Sequence, residues 1–170
     1  MIVILLGSNL GNRQEYLGQA FDLIEKRIGK IVLSSSVYET EPWGFVEAGL
    51  FLNKIVCLNS SPEPETLLEN LMQIETDMGR KRTEHQYTSR LIDLDILFYE
   101  DRIIKSRNLE IPHPRLHLRK FTLVPLNELF QNFVHPKLGK TINELLKACN
   151  DHLTVRIYEG KGNQKASSEQ

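Results

Sequence analysis

The apolar residues of the first hundred positions switch repeatedly between strand and helix spacing, and that succession leaves few folds open to the chain. Ile2 to Leu6 is a continuous apolar run closed by Gly7, which suits a strand buried on both faces. Leu17, Phe21, Ile24 and Ile28 then recur at helical spacing, with Asn12 placed as N-cap and Gly29 as the stop. Ile31 to Glu39 and Leu50 to Asn59 read as strands. The segment SSPEPE between them and the next helix offers Ser61 as a cap and Pro62 or Pro64 as a first helical residue. Leu67, Leu71, Ile74 and Met78 mark that helix, Gly79 ends it, and Ile92 to Tyr99 returns as a strand. The order β-α-β-β-α-β is that of an α+β ferredoxin-like fold, an antiparallel sheet with both helices on one face and the other face free for a site.

The remainder adds a loop rich in His, Arg and Pro (Ile111 to Phe121) and a short helix expected near Pro125. A further helix opens at a capping box made by Thr141 and Glu144, and a final strand is possible over Leu153 to Tyr158. This C-terminal helical extension completes a single domain over residues 1–158, while the polar stretch 159–170 reads as a disordered tail. At 170 residues and 41% apolar composition one sizeable core is expected. Cys57 and Cys149 form neither a disulfide framework nor a metal motif, and no stretch approaches a membrane span, so a cytoplasmic location is expected. The oligomeric state is left open, a monomer being the working expectation.

The chemistry concentrates in Arg90-Leu-Ile-Asp93-Leu-Asp95-Ile96. In a strand, residues two apart share a face with Cα atoms about 6.5 to 7 Å apart, so Asp93 and Asp95 present adjacent carboxylates. Their mutual repulsion inside an apolar strand calls for a metal ion, a basic side chain or both, and carboxylate oxygens favour magnesium over zinc. The D-x-D alone is equally compatible with aspartates that are merely solvated on a wet face, or paired with arginine side chains. Its neighbours shift the balance: Arg80, Lys81, Arg82 and Arg90 precede the strand, and Arg115, Arg119 and Lys120 follow it. Paired carboxylates with several guanidinium groups suit phosphoryl transfer, where positioning and charge neutralisation dominate.

Other positions read two ways. Phe51 and Asn53 share a face of their strand and would suit stacking and hydrogen bonding of a planar heterocycle, although buried Phe and turn-facing Asn are common. Trp43, the only tryptophan, sits in the loop TEPWGF and reads first as a core plug. His113 is compatible with a phosphate contact or a structural role, and Gly7-Ser-Asn-Leu-Gly11-Asn reads as a turn into the first helix. A net charge of −1, no aromatic RNA-binding strand and two carboxylates on a central strand all disfavour nucleic acid as a partner.

Taken together, GSNLGN, TEPWG, FLN, IETDMGR-x-R, R-x-x-D-x-D and IPHPR…R-x-F resemble, in order and spacing, the 6-hydroxymethyl-7,8-dihydropterin pyrophosphokinase family over Ile2 to Leu126. That resemblance implies transfer of the diphosphate of ATP to the hydroxymethyl group of a pterin, with two Mg2+ ions on Asp93 and Asp95, ATP as co-substrate, and no membrane. It assigns Arg82, Arg90, Asp93, Asp95 and Arg119 to catalysis. It assigns Thr40, Pro42, Trp43, Gly44, Phe51, Asn53, Asp95 and Phe121 to the pterin, with Phe51 and Phe121 sandwiching the ring. Glu75, Arg80, Arg82, Arg90, Ile96, His113 and Arg119 fall to ATP. Tyr87, Asn108 and Glu110 depart from the common bacterial pattern, which bears on nucleotide contacts. Loops 44–49 and 82–91 are expected to order over bound substrates. A nucleotidyltransferase on a similar sheet is the rival reading; it would release pyrophosphate in place of AMP.

Overall fold

The structure, a computed structural model, describes residues 1–43, 49–79 and 91–160. Strand β1 (Ile2–Ser8) is hydrogen-bonded antiparallel to β4 (Phe51–Leu58) on one side and β5 (Asp93–Tyr99) on the other. The strand predicted over Ile31 to Glu39 is two strands, β2 (Ile31–Ser34) and β3 (Tyr38–Thr40), which pair with successive halves of β4. The break has a local cause. Ser35 is buried, its Oγ accepts the Ile55 N–H at 2.9 Å and donates to the Ser36 carbonyl at 2.7 Å, so a side chain takes the place of a ladder partner. The edge of β3 is covered by β8 (Val155–Ile157), shorter than the expected final strand. A two-strand ribbon of β6 (Ile104–Lys105) and β7 (Glu110–Ile111) stands apart from this sheet.

Alternation along β1 divides the core. Ile2, Ile4 and Leu6 face α1 (Arg13–Arg27) and α2 (Pro64–Asp77), packing with Leu17, Ile24, Leu67, Leu71 and Ile74. Asn12 caps α1 as expected, its Oδ1 accepting the Glu15 N–H. Ser61 does not cap α2: its hydroxyl is spent on the Pro62 carbonyl, the N-cap is Glu63, and Pro64 opens the helix. Gly29 follows α1 for a steric reason, since a Cβ there would lie 2.7 Å from the Ser60 carbonyl oxygen.

The opposite face is not free, contrary to the expectation from the order of elements. Val3, Leu5, Ile55, Cys57, Leu97 and Phe98 pack against α3 (Lys120–Phe130) and α4 (Ile142–Ala148) through Leu123, Leu126, Ile142 and Leu145. The helix expected to begin near Pro125 begins five residues earlier and contains the proline, because burial of Thr122, Leu123 and Leu126 offsets one missing backbone hydrogen bond. The capping box of Thr141 and Glu144 is formed as predicted. What stays uncovered by apolar packing is the end of this face where β1 and β3 finish and β4 and β5 begin. The tail expected at 159–170 lies almost wholly outside the described residues.

Replacing Ser35 by Ala leaves the buried Ile55 N–H without its acceptor. The expected loss of stability is about 1–3 kcal/mol by urea unfolding, and an unchanged midpoint would show that the hydroxyl does not hold the strand break.

Candidate functional site

The strand register assembles the site without any long loop. Gly7 of β1 stands opposite Asn53 of β4 on one side and Asp93 of β5 on the other, and Leu5 stands likewise between Ile55 and Asp95. Directly opposed residues share a face, so Asn53, Asp93 and Asp95 rise from the same side of the sheet, with Asn53 and Asp93 two strand spacings or roughly 9–10 Å apart. Phe51, two residues before Asn53, joins them. Backbone pairing alone thus brings an amide, an aromatic ring and two carboxylates to one face.

Each member is held by its neighbours. Asn53 is buried, and its Nδ2 donates to Thr40 Oγ1 at 2.8 Å, which turns Oδ1 toward Gly7. Glu75 of α2 is also buried, and its Oε1 accepts the N–H of Leu94 at 2.8 Å, pinning the backbone between the two aspartates. Ile96 lies in the α1/α2 core, so its side chain points away from the aspartates.

A β-bulge places both Leu97 and Phe98 on the second core, and the Leu97 carbonyl accepts the N–H of His113 at 3.0 Å. This tethers the His/Arg/Pro loop to the strand that bears the aspartates. His113 Nδ1 accepts the Arg115 N–H at 3.1 Å, so the neutral ring carries its proton on Nε2. Burial, then the positive charges of Arg119 and Arg115, press its pKa down to about 4, with Asp93 pulling in the other direction. Cations and a carboxylate thus meet around one imidazole. In the sequence Arg115 is only one member of a basic cluster; its place beside His113 follows from the tight turn after Pro114, which residue spacing does not show.

Trp43 is half-buried and is not a core plug. The Arg119 guanidinium lies 4.9 Å from the centre of its ring and 5.5 Å from that of Phe121, so one cation is stacked with two aromatics assigned to the pterin. Behind Trp43 is a cavity of about 570 Å³ lined by His117, Leu138, Leu145 and Cys149 among others; it is separate from the aspartates. Pro42 stands half-buried beside Trp43. Gly44, Arg80, Arg82 and Arg90, with Tyr87 and most of the two loops expected to order over substrate, lie outside the described residues.

Gly7 stands between Asn53 and Asp93, and the sequence reading does not single it out. The run Gly7-Ser8 is the last part of β1 and not a turn, and an isolated glycine inside a paired strand is the signal that marks it. Among the described residues no group of three or more His, Cys, Asp or Glu side chains could hold a metal. Two carboxylates without further protein ligands fit magnesium, which keeps waters and completes its shell with substrate phosphates, and do not fit a structural zinc.

Known proteins resemble this chain in sequence and in fold. A sequence model of the family described as 7,8-dihydro-6-hydroxymethylpterin-pyrophosphokinase (HPPK) matches residues 3–131. The chain is 38% identical over 139 residues to 2-amino-4-hydroxy-6-hydroxymethyldihydropteridine pyrophosphokinase of Aquifex aeolicus, covering 82% of this chain and 86% of that protein. It is 38% identical over 159 residues to the protein of that name from Bacillus subtilis, covering 93% and 90%. A crystal structure of Plasmodium falciparum HPPK-DHPS superposes with a TM-score of 0.73 at 20% identity, over 86% of this chain and 44% of that one, a likeness of fold.

His135, buried against Phe98 with its Nδ1 accepting the N–H groups of Lys137 and Leu138, is likewise held to a pKa of about 4, mainly by burial. The unfolded chain takes up protons at both His113 and His135 below about pH 6.5, whereas the folded chain does so only near pH 4. Stability is therefore expected to be independent of these groups above pH 6.5 and to fall from there toward pH 4. Urea unfolding across that range should show a smaller fall in His135→Gln, and an identical slope would contradict the assignment.

Proposed function

Because the chain belongs to the 7,8-dihydro-6-hydroxymethylpterin-pyrophosphokinase family, and so transfers the diphosphate of ATP to the hydroxymethyl group of 6-hydroxymethyl-7,8-dihydropterin in folate synthesis with release of AMP, we propose that the Asn53–Gly7–Asp93 row is the axis of that reaction. The observation that carries the reading is the register itself: a buried amide at one end of the row and paired carboxylates at the other. Asn53 and Thr40 hold the polar edge of the pterin. Phe51 flanks its ring, Phe121 supplies the opposing aromatic surface, and Pro42, Trp43 and Gly44 border it. The hydroxymethyl group then lies toward Asp93 and Asp95.

Asp93 and Asp95 would hold two Mg2+ ions. When bound, these would neutralise the ATP phosphates and favour an in-line approach to the β-phosphorus. The pterin hydroxyl gives up its proton to solvent as its oxygen forms the new bond to that phosphorus, the bond to the α-phosphate oxygen breaks, and AMP departs. His113 offers Nε2–H to a phosphate oxygen as a neutral donor. Arg119, stacked at rest on Trp43 and Phe121, carries a positive charge that serves the phosphates once the pterin claims the aromatic surface. Arg80, Arg82 and Arg90 precede the aspartate strand and are assigned to the polyphosphate on charge and position in sequence. Ile96, its side chain in the core, meets ATP through its main chain, and Glu75 serves the nucleotide side indirectly by fixing the Leu94 backbone between the metal carboxylates.

No helix among the described residues is long and apolar enough to cross a membrane, in keeping with action in the cytoplasm, and the row needs no second chain to complete it. Asp95→Ala is expected to lower AMP formation more than about a hundredfold at any practical magnesium concentration while the unfolding midpoint is kept. A folded variant with a near-normal rate would remove the carboxylate pair from the reaction.

A further inference from the structure

Gly7 occupies the middle of the row that joins Asn53 to Asp93, on a strand hydrogen-bonded along both edges. Its backbone is ordinary extended strand without positive φ, so no conformational demand explains a glycine there. The two residues before it on the same face, Val3 and Leu5, fill their positions with packed side chains. At Gly7 that filling stops. A Cβ built on this residue would meet, among the described residues, one atom within 4 Å: Asn53 Oδ1, at 3.1 Å. No other atom of the described residues lies within 4 Å of that position, and the acceptor oxygen of the buried amide borders it.

We propose that Gly7 sets the depth and hence the selectivity of the heterocycle slot: its missing side chain is the recess into which the edge of the flat bicyclic ring is lowered between Asn53 and the aspartates. This rests on the reading of the site given above and goes beyond it by naming a residue that shapes the substrate's seat without contributing a functional group. With Phe51 rising from the same face, the ring stands with its plane against the aromatic and its edge toward the sheet. The edge must approach closely enough for Asn53 Oδ1 to accept a hydrogen from an amino group on the heterocycle. A methyl at Gly7 lies beneath that approach and also crowds the acceptor, so it penalises the pterin and leaves the nucleotide side untouched. The span of roughly 9–10 Å from Asn53 to Asp93 lets one small bicyclic molecule meet the amide at one end and present a hydroxymethyl group to the carboxylates at the other.

The test is steady-state kinetics of wild type and Gly7→Ala with AMP as the measured product, varying the pterin and ATP separately. KM for the pterin is expected to rise at least about tenfold, the usual effect of one misplaced methyl in a pocket, while KM for ATP changes less than about twofold. An unchanged pterin KM, or equal rises for both substrates, overturns the proposal. Should Gly7→Ala fold poorly, Asn53→Ala and the double variant Gly7→Ala/Asn53→Ala are compared. The atom that the new methyl meets is then gone, and a further pterin-specific weakening of at least about fivefold is expected, as against none if the recess has no role. Absence of AMP from wild type would count against the reading of the site; AMP from wild type with an indifferent Gly7→Ala would count against this inference alone.

Discussion

The double pairing of β1 is the constraint on which the rest depends. A strand buried on both faces and hydrogen-bonded on both edges has no freedom of register, because a one-residue slip would turn Ile2, Ile4 and Leu6 out of the α1/α2 core and Val3 and Leu5 out of the α3/α4 core. That rigidity passes to its partners. With Gly7 fixed between Asn53 and Asp93, the distance between the amide and the carboxylate is set by strand spacing and not by loop conformation. Sites built this way keep their geometry in the absence of ligand.

Around this frame the polar groups are arranged so that each functional atom is oriented by a partner that is itself buried. Thr40 turns the Asn53 amide, Glu75 fixes the peptide between the aspartates, and the bulge at Leu97 delivers His113 to the same strand. The histidine is neutral because burial and two arginines outweigh the pull of Asp93, which makes it a hydrogen-bond donor to anions without adding charge of its own. Arg119 is the contrasting case, a permanent cation resting on aromatic rings. Its guanidinium joins Trp43 and Phe121 into one charged aromatic surface.

Much of this is legible in the sequence because it follows from short-range periodicity. The two-residue spacing of Asp93 and Asp95, and of Phe51 and Asn53, is enough by itself to put each pair on one face of its strand, and Asn12 and the Thr141–Glu144 box cap their helices as their residue types predict. What is not legible depends on contacts between distant segments. The covering of the second sheet face by α3 and α4 turns on tertiary burial, which also carries α3 through Pro125. The break after Ser34 depends on Ser35 meeting Ile55, twenty residues further along the chain. Gly7 resembles a turn residue because a glycine followed by Ser-Asn is turn-like locally, and only its pairing on both edges shows it to be strand. Trp43 reads as a plug because nothing nearby in sequence announces Arg119.

The central claim is that one sheet face holds a pterin alcohol in line with the β-phosphorus of ATP. The measurement that addresses it most directly is the identity of the nucleotide formed when the purified protein is incubated with Mg-ATP and 6-hydroxymethyl-7,8-dihydropterin. AMP, formed in equal amount with the pterin diphosphate and dependent on both the pterin and the metal, is the predicted result; ADP, or pyrophosphate with a nucleotidylated product, would contradict it.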